Sequence, residues 1–166
     1  MHEAFMQRAL QIAATSHSES GCLPFAAVVV RDGEIVGEGL NRATQKHDPT
    51  AHGEVEALRD ACARLGTTQL EGCVVYTTCE PCAMCVASMC LSGIERVFYA
   101  ASGEDSAAMF ERLAARDPAW GRRLSVEQLR EEVGLPLASG RLRGSRLLAE
   151  AGREVLSAFA AARLGD

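Results

Sequence analysis

The sequence predicts an α/β domain, and three observations carry that reading. Short β-branched or aromatic runs alternate with stretches of helical periodicity through the first hundred residues. An Asp-Gly turn signal joins the first two of those runs. The last two flank a single helical stretch, the arrangement of a crossover between parallel strands, with helices on both faces of the sheet.

Each element follows from its local pattern. In "EAFMQRALQIAATS", Phe5, Ala9, Ile12 and Ala13 fall on one helical face, and the polar "SHSESG" ends it. "PFAAVVV" and "EIVGEGLN" flank "RDG" and read as a β-hairpin. The loop "RATQKHDP" leads to a helix that opens near Pro49 and Thr50 and buries Val55, Leu58, Cys62 and Leu65. "GCVVYTT" has the composition of a buried strand. "CAMCVASMCLSG" is apolar all round, which predicts an enclosed helix ending at Gly93, and "IERVFYA" is the next strand. Beyond Ala100, "EDSAAMFERLAARD" and "SVEQLREEVG" read as short amphipathic helices and "RLLAEAGREVLSAFAAARL" as a longer one. "LPLASGRLRG" between them reads as an edge strand or plain loop. No repeat, low-complexity tract or linker interrupts the 166 residues, so one domain, 1–166, is expected, with a helical part from about 102.

The totals narrow the function classes. The formal net charge is −5, and acids interleave with the arginine clusters after residue 120, which argues against a polynucleotide partner. No apolar run approaches the roughly 20 residues of a membrane span. The start, "MHEAFMQRAL", lacks the basic and apolar pattern of a signal peptide, so a cytoplasmic protein is expected. Seven cysteines, an odd number, do not suggest a disulfide framework. Cys22, Cys62, Cys73, Cys79 and Cys90 sit among apolar neighbours and read as packed free thiols.

Cys82 and Cys85 differ. Spaced i, i+3 at a helix start behind Pro81, they share a face and can grip one ion. Unpaired backbone N–H groups and the helix dipole favour the thiolate that zinc takes at about 2.3 Å. His52, in the first turn of the preceding helix, reaches the same sheet edge and supplies a third ligand. Three protein ligands leave a place for water, as in catalytic zinc sites, whereas a fourth would close the site. Cys79 is the nearest candidate for that fourth place and for a zinc-stapled binding module. Glu54, two residues from His52, argues for chemistry, because a carboxylate there can move protons for a water on the metal.

"HGE" followed some thirty residues later by "PCAMC" resembles the zinc-dependent cytidine deaminase superfamily, whose signature is H-x-E…P-C-x-x-C. The resemblance runs from about residue 3 to residue 101. It implies a three-layer α/β/α sandwich around a mixed five-stranded sheet, zinc on His52, Cys82 and Cys85, and Glu54 as the proton carrier. "GLNRATQKHDPTAHGEVEALRDACARLG", "YTTCEPCAMC" and "VFYAA" are most similar to the bacterial guanine-deaminase branch. That similarity implies a homodimer acting on a free nucleobase, with Asn41 on the base, the Gly53 N–H on a ring carbonyl and Phe25 stacked on the ring. Where that branch has a "GFDD"-like segment, this chain has "GEDS", so Glu104 and Asp105 are the candidates for an exocyclic amine, and Phe110 or Trp120 for a ring cover. Cytosine and, further off, a tRNA adenosine remain as alternative substrates.

Overall fold

The computed structural model describes residues 2–121, 124–136, 139–142 and 144–164. Helix α1 (His2–Thr15) is followed by strands β1 (Leu23–Arg31) and β2 (Glu34–Asn41), the short α2 (Ala43–Lys46), α3 (Gly53–Leu65), β3 (Val74–Cys79), α4 (Ala83–Leu91) and β4 (Arg96–Ala101). Then come α5 (Gly103–Ala114), a 3-10 turn at Pro118–Trp120, α6 (Val126–Val133) and α7 (Ala149–Leu164). The chain divides into two compact units, 1–130 and 131–166.

The first unit is built on a sheet of order β2-β1-β3-β4, antiparallel except for the parallel β3–β4 pair that the crossover through α4 produces. The expected sheet is mixed as observed, but four strands rather than five are present among the described residues. Leu137, Ala138 and Arg143 of the candidate edge segment lie outside the described residues, and the remainder of it forms no strand.

Strand alternation makes three layers, since successive side chains face opposite sides. Ala27, Val29 and Val75 point to one face, where Val55 and Leu58 of α3 and Cys85 and Met89 of α4 pack on them. Val28, Val30 and Tyr76 point to the other, against Phe5, Ala9 and Ile12 of α1. Two glycines bring α3 very close to the hairpin. A Cβ at Gly39 would run into the Gly53 carbonyl and the Ala57 N–H, and one at Gly53 would sit 2.5 Å from the Phe25 carbonyl oxygen.

Two expectations need correction. The "RATQKHDP" stretch is not all loop, because residues 43–46 wind into α2, closed by His47 in the left-handed region at φ 52°. Helix α4 is not enclosed. Only Cys85 and Met89 are buried, while Val86 is 40% and Leu91 84% exposed, because a single sheet face covers only one side of an all-apolar helix. Cys90 is accordingly exposed, Cys22 and Cys62 are half-buried, and only Cys73 and Cys79 of the five are packed away.

In the second unit, α7 leaves Val155, Leu156, Phe159 and Leu164 exposed, and the Arg163 guanidinium lies over the Phe159 ring. No helix among the described residues is long and apolar enough to cross a membrane.

Candidate metal and catalytic site

Three helices begin at one edge of the sheet, and their N-cap residues are His52, Cys82 and Ser102. His52 lies one step before α3 rather than in its first turn. Its extended backbone, like that of Cys82, turns the side chain across the helix start. The His52 Nδ1 is 3.7 Å from Cys82 Sγ and 3.5 Å from Cys85 Sγ, and the two sulfurs are 3.7 Å apart. Tetrahedral bonds of about 2.0–2.3 Å place neighbouring ligand atoms about 3.5–3.8 Å apart. The donor set and its spacing therefore fit zinc. Among the described residues this is the one cluster of three metal-ligating side chains. Cys79 does not join it; its thiol donates to the Ser102 carbonyl at 3.5 Å.

The cluster already favours the anion zinc requires. The hydrogen bond that Cys82 shares with Cys85, assisted by His52, lowers the Cys82 pKa to about 4. The remaining proton of the pair stays on Cys85, raised by its bond to Cys82 and by burial.

Glu54, in the first turn of α3, is 5% exposed. Its Oε1 accepts the Thr77 hydroxyl at 3.0 Å, and its Oε2 lies 3.4 Å from Cys85 Sγ, which donates to it. Burial pushes its pKa up, against hydrogen bonds from its own backbone, Thr77 and Cys85 and the charge of His52. The carboxyl is thus held beside the cluster in a setting that makes its proton exchangeable.

A cavity of about 80 Å³ opens at this carboxyl, well under the roughly 300–1,000 Å³ of pockets for drug-sized ligands. Phe25, Asn41, His52, Glu54 and Cys82 line it, so five of the residues singled out from the sequence meet there. Asn41 is buried at the end of β2, and its Oδ1 accepts the Ala43 N–H at 3.2 Å. Gly53 heads α3 between His52 and Glu54. Phe25 stacks on Phe110 with centroids 6.1 Å apart, and Trp120 meets Phe110 at 6.5 Å, so the three rings form one row.

Glu104 and Asp105 are not brought to the cavity. Asp105 completes a capping box with Ser102: its carboxylate accepts the Ser102 N–H and hydroxyl, each at 2.8 Å, and its own N–H donates to the Ser102 oxygen. Glu104 occupies the exposed side of that first turn. The cavity wall is made instead by Glu80, Ser106 and Val126, with Leu23 and Cys79. Of these only Cys79 was singled out from the sequence, as a possible fourth ligand; Glu80 was missed although it stands inside "CEPC". Thr77 was missed too, yet the strand period put it on the Val75 face, toward α3.

Comparison with known proteins agrees with this geometry. Residues 1–101 match the family described as the cytidine and deoxycytidylate deaminase zinc-binding region. The chain is 46% identical over 106 residues to guanine deaminase of Bacillus subtilis, covering 64% of this chain and 68% of that one. The X-ray structure of the Bacillus subtilis guanine deaminase superposes with a TM-score of 0.80 at 35% identity, covering 98% of this chain and 94% of that one. A tRNA-specific adenosine deaminase of Aquifex aeolicus is 43% identical over 99 residues, 60% of this chain and 65% of its own length. The chain belongs to the zinc-binding cytidine and deoxycytidylate deaminase family and is a hydrolytic deaminase.

Proposed function

We propose that the protein deaminates a free nucleobase, guanine first, converting a ring C–NH₂ and water to C=O and ammonia. The observation that carries this reading is a buried Glu54 held against a three-ligand cluster at the wall of a small cavity. The similarity to guanine deaminase supports guanine as the base.

Zinc on His52, Cys82 and Cys85 supplies a Lewis acid that makes a water nucleophilic near neutral pH. Glu54 takes one proton of that water and delivers it to the ring nitrogen next to the amine-bearing carbon as the oxygen bonds to that carbon. It takes the second proton from the same oxygen as the carbonyl forms and gives it to the amino group, so that the C–N bond breaks and ammonia leaves. Thr77 fixes the carboxyl for both transfers. Asn41 and the Gly53 N–H orient the ring, Phe25 lies against its face, and the row through Phe110 to Trp120 excludes water.

We assign the exposed apolar side of α4 to a homodimer, since Val86 and Leu91 lie on a face that the sheet cannot cover. Zinc-binding thiolates and free cysteines suit the reducing cytoplasm. The deciding experiment is ammonia release from guanine, adenine, cytosine and a tRNA by the zinc-loaded protein. Turnover of guanine above the others is expected. Turnover of the tRNA alone would overturn the assignment in favour of the other relative's chemistry.

A further inference from the structure

Glu80 belongs to neither the metal cluster nor the proton path, yet it is joined to three segments around the cavity. Its N–H donates to the Ala101 carbonyl at 2.8 Å, which ties the loop before α4 to the end of β4. Its Oε2 accepts the Gly103 N–H at 3.0 Å, and its Oε1 accepts Nη2 of Arg130 at 2.8 Å. The same nitrogen donates to the Pro81 carbonyl at 3.3 Å. Gly103 begins α5, where backbone N–H groups have no partner within the helix and a carboxylate is favoured by the dipole. A Cβ at 103 would stand 3.3 Å from that Oε2, so glycine allows the close seat.

What these bonds hold is the cavity wall. Ser106 lies three residues beyond Gly103, on the same side of α5, and is buried against the cavity. Val126 lies four residues before Arg130, on the same side of α6, and also lines the cavity. One carboxylate therefore sets the position of two wall residues carried by different helices. Bonds to a backbone N–H and a guanidinium at once fix direction better than a lone surface ion pair would.

We propose that Glu80 is a positioning residue that, through Gly103 and Arg130, sets how far Ser106 and Val126 stand from Glu54, and so decides which ring the site accepts. The role rests on the nucleobase-deaminase reading of the cavity. Glu80 lines the cavity too, but its two carboxylate oxygens are taken up by Gly103 and Arg130. Loss of the clamp lets the wall move while the metal ligands and Glu54 stay in place, so it weakens binding and discrimination more than the chemical step.

The test compares Arg130→Met, Arg130→Lys, Glu80→Gln and the Arg130→Met/Glu80→Gln double variant, all zinc-loaded. Arg130→Met and Glu80→Gln should each raise KM for the best base about tenfold, the scale of one lost charge-assisted hydrogen bond. Both should keep kcat within about threefold and zinc at the wild-type level. Arg130→Lys should recover most of the loss, and the double variant should be little worse than either single one. Unchanged KM in both single variants, or a KM change accompanied by zinc loss, would overturn the proposal. Amide exchange over residues 103–110 and 124–129 gives a readout that needs no substrate and should quicken in Arg130→Met. If the wild type releases ammonia from no base, the functional reading fails, and unaltered exchange would separately sink the clamp.

Discussion

The Thr77 hydroxyl donates to Glu54 Oε1 at 3.0 Å, and both side chains are buried. This bond fixes the carboxylate that lies against the metal-ligand cluster. Thr77→Val keeps the volume and removes the donor. It should lower kcat by roughly 10–100-fold, the scale of one hydrogen bond to a charged group, with zinc retained. Thr77→Ser should restore most of it. A change under twofold in Thr77→Val would mean that something else positions Glu54.

Metal binding and proton transfer should separate cleanly. Elemental analysis should find about one zinc per chain, lost in Cys82→Ala and Cys85→Ala. Glu54→Gln should keep the zinc and lose at least about 10²–10⁴ in kcat. Zinc loss in Glu54→Gln with little catalytic defect would reverse the roles.

Asp105 should matter for stability rather than for substrate. The backbone N–H of Ser102, and then its hydroxyl, hold the Asp105 carboxyl below its ordinary 3.8. A depressed folded pKa stabilises the protein above the unfolded value and loses that stabilisation as pH falls through the folded one. Asp105→Ala should therefore lower Tm at pH 7 and approach the wild type as the pH falls below the ordinary carboxyl range and through the folded pKa. We expect kcat/KM to change less than about twofold. A larger loss without a Tm change would return Asp105 to the substrate.

The α4 surface predicts assembly. The protein should sediment as a dimer or larger at micromolar concentration, and Val86→Asp with Leu91→Asp should shift it toward monomer by placing charge on that face. A wild-type monomer would refute the interface.

Local patterns made the central architecture legible. Short β-branched and aromatic runs gave β1 to β4, the Asp-Gly turn gave the hairpin, and a single helix between β3 and β4 gave their parallel pairing. His52, Cys82 and Cys85 were legible as a cluster because strand-helix-strand order sends helix starts to one edge. The cavity wall was not. Ser106 and Val126 reach it through the fold of α5 and α6, and "GEDS" reads equally as a substrate motif or a helix cap. The Ser102–Asp105 hydrogen bonds are those of a cap. Exposure of α4 was misjudged for a related reason: an all-apolar helix announces burial but not by what.

The contact of α3 with β2 at Gly39 and Gly53 is main chain on main chain. Asn41 lies two residues from the first glycine and Glu54 one from the second, so the separation of these two side chains is inherited from peptide geometry, with no side-chain spacer between them. That separation, unlike the seat of Cys85, does not run through the apolar core. Trimming Leu58 or Met89 can cost folding free energy without detuning the catalytic spacing, whereas a single methyl group added at Gly39 would lift His52 and Glu54 together.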